Sequence, residues 1–504
     1  MLSISDTPAS PPCPAPFNLA AYVLDGSGAA DDKIALAVLA LSGAERWSFG
    51  KLRAAALGTG TGLVEAGLKP GDRVFIRLGN TVDFPLAFLG AIAAGLVPVP
   101  TSSQLTAVEA EKLAQVIQPA AVLQAPDVPA PTGGWRSIAL DDLRAMRDLA
   151  PVQPVLGDPA REAYIIFTSG TSGVPRAVRH AHRVVWARRM MWRGWYDLNS
   201  ADRLLHAGAF NWSFTLGTGL LDPWACGATA LIPQDGTDPR ALPLLLKRHD
   251  ATLLAAAPGV YRKLLTGDAP LSLPKLRHGL CAGEKLPEAL RSKWQESTGT
   301  GLYEAYGQTE ISTFISSCPA TPAPTGTLGL PQPGRRVAIV DDSGQPVPLG
   351  TEGTIAIDRN DPGLMLGYLD APEETQAKFR GDWFLTGDQG TMDESGAITY
   401  LGRDDDLMNA GGFRVSPLEV EHALAHLDGI LEIAVTDVEI KADVRVIAAF
   451  YVADTELNEA ALNAAAGEIL ARYKQPRLWV RLDSLPRNPN GKLRRKALAL
   501  PEDR

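Results

Sequence analysis

Apolar and polar positions alternate along the first quarter of the chain in blocks that predict helix, strand, helix. A helix is expected from Phe49 to Gly67, followed by the turn Lys69-Pro70-Gly71-Asp72 and an apolar strand over Arg73 to Arg77. The run from Phe84 to Pro100 predicts a buried helix near Pro85 to Ala94 and then a strand. Interrupted by Pro85, Gly90, Gly95, Pro98 and Pro100, it is too short to span a bilayer. Thr106-Ala107-Val108-Glu109 has the form of a capping box opening a helix with Leu113, Val116 and Ile117 on one face. Helices interleaved with short apolar strands predict a parallel sheet covered on both faces, an α/β class.

Further on, the proline-rich stretch from Pro126 to Pro154 reads as a surface excursion, after which the alternation resumes. Leu231-Ile232-Pro233, Thr252 to Ala256 and Leu280-Cys281-Ala282 are strand candidates. From Arg336 to Asp358 the pattern changes to short alternating strands with turns at Asp342-Ser343-Gly344 and Leu349-Gly350, predicting a small β-rich subdomain. Near Gly402 the charged run Arg403-Asp404-Asp405-Asp406 precedes Ala410-Gly411-Gly412, so a large domain is expected over residues 1–402, a smaller one over 403–504, and a hinge at Asp405. Ser416-Pro417-Leu418-Glu419 predicts a capped helix that ends by Asp428-Gly429.

The 504 residues allow two to four domains, and the content of 45% hydrophobic and 21% charged residues is ordinary for a soluble protein. A net charge of -9 argues against a nucleic-acid partner. Cys13, Cys226, Cys281 and Cys318 show no paired spacing, so neither a disulfide framework nor a zinc site is expected, and a reducing cytoplasm fits. The first residues lack a basic region and an apolar core, and read as a loose leader without signal function.

One stretch carries more chemistry than the rest. The apolar strand Tyr164 to Phe167 empties into Thr168, Ser169, Gly170, Thr171, Ser172 and Gly173. Such a loop can turn its N–H groups and hydroxyls inward around phosphate oxygens, or it can be an ordinary Ser/Thr/Gly surface loop. It is not a Walker A loop, because no Gly-Lys-Ser/Thr closes it.

The string Phe167-Thr168-Ser169-Gly170-Thr171-Ser172-Gly173-Val174-Pro175-Arg176 resembles the signature of the adenylate-forming superfamily, and similar strings continue from about Phe49 to Leu498. Arg176-Ala177 stands where the family usually has Lys-Gly; the guanidinium keeps the charge and adds a fork suited to phosphate. The resemblance implies a large N-terminal domain of stacked α/β subdomains with a small β-rich part, and a small mobile α+β C-terminal domain. It also implies ATP, Mg²⁺ and coenzyme A as cofactors. In Tyr306-Gly307-Gln308-Thr309-Glu310 it places Glu310 on Mg²⁺, Thr309 on the α-phosphate and Tyr306 against adenine. Gly283-Glu284-Lys285 would line the other side of the base, and Asp388 would take the ribose hydroxyls with Arg403 assisting. Lys492, in Leu485-Pro486-Arg487-Asn488-Pro489-Asn490-Gly491-Lys492, would be the movable cation that bridges substrate carboxylate and α-phosphate. Gly412, Phe413 and Arg414 would face the pantetheine tunnel.

The acyl pocket is expected to include Phe210, Asn211, Trp212 and Gly217. Asn211 replaces the aspartate by which amino-acid activators hold an ammonium, and no Lys or Arg precedes Pro223 in this segment, so amino acids and dicarboxylates are both disfavoured. An uncharged medium-chain or aromatic acid remains. The expected reaction is ATP-dependent ligation of that acid to coenzyme A through an acyl-AMP. The alternatives are transfer to a carrier protein and a non-catalytic nucleotide or acyl-AMP binding protein. The family's Pro-Asp-x-x-x-Gly-Glu stretch is absent around Asp437 to Arg445.

Overall fold

The computed structural model describes residues 1–8, 10–168, 175–266, 270–403, 408–410, 413–441, 444–470, 472, 474–488 and 493–500. They form two compact units, one of Asp6–Arg336 with Asp358–Asp382, the other of Met1–Ser5, Val337–Ile357 and Trp383–Arg504. The β-rich stretch and the strands Trp383–Met392 and Ile398–Arg403 belong to the second of these units. No helix among the described residues is long and apolar enough to cross a membrane.

The large unit is built on a nine-stranded sheet. Its strands run in the order Leu330–Pro331, Ser312–Ser316, Gly301–Gln308, His278–Ala282, Leu253–Ala256, Arg203–His206, Thr229–Pro233, Ile34–Ala40 and Gly43–Ser48. The interior ladders are parallel and the outermost are antiparallel. Leu253–Ala256 and His278–Ala282 are buried at every position, as parallel strands covered on both faces require. A second sheet, parallel throughout, orders Val97–Pro100, Arg73–Arg77, Ala121–Gln124 and Ser137–Ala139. The capping box at Thr106 forms, with Glu109 N–H donating to Thr106 Oγ1 and Thr106 N–H to Glu109.

The proline-rich stretch runs along the surface as expected, with only Val128, Ile138 and Leu143 buried, but it is not a plain loop. It contains the strand Ser137–Ala139 and the helix Leu140–Met146, which packs on the helix Phe49–Glu65. Glycines make that approach possible: a Cβ at Gly58 would stand 2.7 Å from the Arg147 carbonyl oxygen, and one at Gly62 would stand 2.6 Å from Met146 Cβ. The leader reading is corrected as well. Ile4–Asp6 is a strand beside Arg336–Val340, and Ser3 is fully buried, its N–H donating to Val347 O at 2.7 Å.

In the smaller unit Gly353–Asp358 follows Arg336–Val340 in the same sheet, then Trp383–Met392, on which Ile398–Arg403 pairs. The predicted cap forms, with Glu419 N–H on Ser416 Oγ, but the helix is Pro417–Leu424 and stops short of Gly429. Glu432–Lys441 and Val444–Val452 pair antiparallel, and Leu478–Arg481 joins them parallel to Val444–Val452. The departure from the family string around Asp437 is thus strand, with Arg445 and Asp437 ion-paired across the ladder at 2.6 Å.

Candidate active site

A three-stranded sheet organises one wall of the site. Glu162–Thr168 runs antiparallel to Arg176–Ala181 with Thr168 opposite Arg176, and Gly367–Tyr368 pairs along the far edge of Arg176–Ala181. Ser169, Gly170, Thr171, Ser172 and Gly173 lie outside the described residues, as do Asp405, Gly412 and Lys492. Tyr368 is opposite Val178, so Tyr368 and Arg176 share a face of the ladder. The Tyr368 hydroxyl donates to Glu310 Oε1 at 2.8 Å, and Met365 N–H donates to the Glu310 carbonyl at 2.8 Å. Arg176 Nε sits 2.6 Å from Glu374 Oε2, on the helix Pro372–Ala377.

Glu310 is not at a helix start. It follows the strand Gly301–Gln308, which turns back into Ser312–Ser316 with a bulge between Tyr306 and Gly307. Only glycine fits at 307, where a Cβ would lie 2.0 Å from Ser312 O. Tyr306 packs edge-on against Phe314, ring centroids 5.3 Å apart. Beside this hairpin Gly283 adopts φ +99°, and a Cβ there would lie 2.6 Å from the Trp212 ring. Glu284 stands 3.5 Å from Arg262. Behind it Glu304 is buried, accepts from Leu286 N–H at 2.8 Å, and is pushed up to about 7 by that burial, against the opposing pull of Arg291 and Lys285.

Thr309 and Gly217 line one narrow cavity, together with Ser213 and Ser312. Phe210 lies in the core against Phe84, and Trp212 stands edge-on to Phe214. Asn211 is half-buried.

The cavity also holds cations that the sequence reading did not anticipate. Arg188 reaches it from another segment. Its Nε is 2.9 Å from Asp222 Oδ1 and its Nη2 is 2.6 Å from Oδ2, with further bonds to Tyr196, Thr218 and Ser312. Burial works against the Arg188 charge, but Asp222 and these hydrogen bonds more than offset it and leave the pKa raised. The cluster is assembled by two π-helical turns, Trp192–Tyr196 and Thr215–Leu221, the second running into the helix Asp222–Cys226. Arg335, fully buried and bonded to Asp361, lines the same cavity. Asp222 could have been suspected, since a lone acid in Leu220-Leu221-Asp222-Pro223-Trp224 must find a buried partner, whereas Asp361 stands in a polar turn that gives no such signal. The expectation of an uncharged substrate stands on a different footing: each arginine brings its own carboxylate.

In the smaller unit Asp388 and Arg403 are directly opposite on Trp383–Met392 and Ile398–Arg403. Asp388 N–H donates to Thr386 Oγ1 at 3.1 Å. Phe413 and Arg414 lie on the strand Phe413–Val415, opposite Ala410 and Asn409.

Profiles of known families match most of this chain: that of the AMP-binding enzymes covers residues 27–369 and that of the AMP-binding enzyme C-terminal domain covers 419–492. The chain belongs to the AMP-binding enzyme family. Among curated members it is 30% identical to the mitochondrial acyl-coenzyme A synthetase ACSM2 of Rattus norvegicus, over 97% of this chain and 92% of that protein. It is 31% identical to the benzoate–CoA ligase of Thauera aromatica, over 85% and 86%. Among solved structures, ATP-bound MatB from Rhodopseudomonas palustris superposes with a TM-score of 0.86 at 26% identity, covering 95% of this chain and 98% of that one.

The donor set at Glu310 suits the family's Mg²⁺. One carboxylate oxygen is held by Tyr368, and the other has no partner among the described residues. No cluster of His, Cys, Asp and Glu dense enough for an all-protein cage occurs among those residues. Mg²⁺ ordinarily takes one or two carboxylates and completes its shell with water and substrate phosphates.

Proposed function

We propose that this enzyme activates an uncharged medium-chain or aromatic carboxylic acid in two half-reactions. A carboxylate oxygen attacks the α-phosphorus of ATP and pyrophosphate leaves; the thiol sulfur of coenzyme A then attacks the acyl carbon and AMP leaves, the thiol proton passing to solvent. It is an AMP-forming acid–CoA ligase that uses ATP, Mg²⁺ and coenzyme A. The observation that carries the substrate assignment is the cavity shared by Thr309 and Gly217, whose buried arginines are each neutralised by an acid of the same chain.

Two anions must meet in the first step, so their repulsion has to be screened. Bound Mg²⁺ supplies charge neutralisation at the phosphates. Of this chain's own groups, Glu310 is held in place by Tyr368 for that ion, and Arg176 brings a guanidinium to the arm of the phosphate loop. Thr309 offers a hydroxyl to the α-phosphate at the mouth of the acyl cavity. Lys492 is the cation delivered to the carboxylate and α-phosphate, and 403–504 is the domain that carries it, turning at Asp405. Asp388 and Arg403 hold the ribose, Tyr306 and Gly283-Glu284-Lys285 hold the base, and Gly412, Phe413 and Arg414 face the pantetheine arm. A cytoplasmic location belongs to the same reading, supported by four cysteines that are all free.

The test is a panel of medium-chain and benzoic acids with Mg²⁺–ATP, read as pyrophosphate and AMP, and with coenzyme A added, read as thioester. Lys492→Ala should lose adenylation while converting supplied acyl-AMP to thioester. Absence of AMP with every acid refutes the reading, and equal loss of both half-reactions removes Lys492 from its role.

A further inference from the structure

Two arginines line the acyl cavity, and their hydrogen-bonding states differ. Arg188 has bonds from Nε, Nη1 and Nη2. Arg335 is equally buried, yet only Nη1 is engaged, on Asp361; Nε and Nη2 have no hydrogen-bond partner among the described residues. The position is built and not incidental. Asp361 is itself fixed by Gly363 N–H at 2.7 Å, and a Cβ at Gly363 would lie 2.8 Å from Arg335 Nη1. Thr7 Oγ1 donates to the Arg335 carbonyl at 3.0 Å. His180, which lines the same cavity, stacks on Tyr164 at 4.7 Å, and its Nε2 is likewise unpartnered.

Buried N–H groups without acceptors are costly, and in a binding cavity a ligand oxygen, taking the place of ordered water, can relieve them. Nε–H and Nη2–H of one guanidinium point in parallel from one edge, a fork that takes one or two oxygen acceptors. Asp361 already balances the charge, so a second substrate carboxylate would enter the cavity as an uncompensated buried anion, whereas a neutral oxygen would not.

We propose that Arg335 is a specificity-determining residue of the acyl pocket, whose Nε–Nη2 edge donates to a neutral carbonyl-type oxygen carried by the acid away from its reacting carboxylate. This deepens the ligase reading and rests on it: the acid is uncharged apart from the group that is activated, but it is not a plain hydrocarbon. A site built to bond a substrate polar group discriminates against the analogue lacking it far more sharply than an apolar pocket rejects a methylene.

The experiment compares kcat/KM for pyrophosphate release within matched pairs, 5-oxohexanoate against hexanoate and 4-acetylbenzoate against 4-ethylbenzoate, with adipate as the charged comparison. The oxo member of at least one pair should be favoured about tenfold or more. In Arg335→Met/Asp361→Asn, which removes the pair together and leaves no stranded carboxylate, that ratio should fall toward one through a rise in KM for the oxo acid. Arg335→Lys should recover part of it. Equal kcat/KM within both pairs in the unmodified enzyme overturns the proposal while leaving the ligase reading intact, and so does an unchanged ratio in the double variant. Preference for adipate overturns the neutral acceptor. Silence with every acid overturns the ligase reading and this one with it.

Discussion

A methyl group at position 217 would lie 2.2 Å from Cζ of Arg188, so the bare backbone of Gly217 is what lets that guanidinium lie beside the cavity. Gly217→Ala should therefore displace Arg188 from Asp222 and leave a buried carboxylate uncompensated. Breaking such a pair costs about 3–5 kcal/mol. Calorimetry should show a clearly lowered Tm with loss of acid-dependent pyrophosphate release. A Tm matching that of the unmodified protein would mean that the guanidinium moves aside at no cost.

Tyr368→Phe removes one hydrogen bond to Glu310 and little else. Hydrogen bonds to charged groups contribute about 1.5–3 kcal/mol, so the adenylation rate at limiting Mg²⁺ should drop by roughly tenfold to a hundredfold. High Mg²⁺ should restore part of it. A titration with the same half-saturating Mg²⁺ as the unmodified enzyme would rule out the positioning role of Tyr368.

Arg176 is held by Glu374, and a phosphate that takes Arg176 must compete with that carboxylate. The pair is half-exposed, and such pairs contribute about 0.2–1 kcal/mol. Glu374→Gln should accordingly lower KM for ATP by up to about fivefold, with KM for the acid unmoved. An unchanged or raised KM for ATP would separate Arg176 from the nucleotide.

Glu304 gives the pH dependence a definite sign. Its carboxyl titrates near 7 in the folded chain, above its ordinary value of 4.5, so across that interval the folded state holds a proton that the unfolded state has released. Stability from this group is therefore full below about 4.5 and declines as pH rises toward 7. Glu304→Gln keeps an acceptor for Leu286 N–H and removes the titration. Its thermal stability relative to the unmodified protein should be higher at pH 8 than at pH 5, in differential scanning fluorimetry across that range. A constant difference would mean that Glu304 is ionised throughout.

Local signals served well where local physics decides. Arg73–Arg77 is a strand as predicted, and Thr106 and Ser416 both cap their helices. The string around Glu310 could be recognised, although its conformation could not, because the bulge at Gly307 depends on a strand that comes after it. What escaped reading was built from distant segments. Arg188 meets Asp222 from 34 positions away, and Tyr368 reaches Glu310 from 58. No periodicity within either segment announces such a meeting. The helix Leu140–Met146 escaped for a related reason: prolines on both sides suggested a loop, while the room for its packing is made by glycines of another helix.

The short pairing of Gly367–Tyr368 with Arg176–Ala181 has a mechanical consequence. Tyr368, which grips Glu310, and Arg176 ride on neighbouring strands, and their separation is set by the pleat and not by side-chain torsions. A slip of one residue would turn Tyr368 to the opposite face and release Glu310 altogether. Glu310 and Arg176 are thereby geared to each other, so neither can wander without dragging its counterpart.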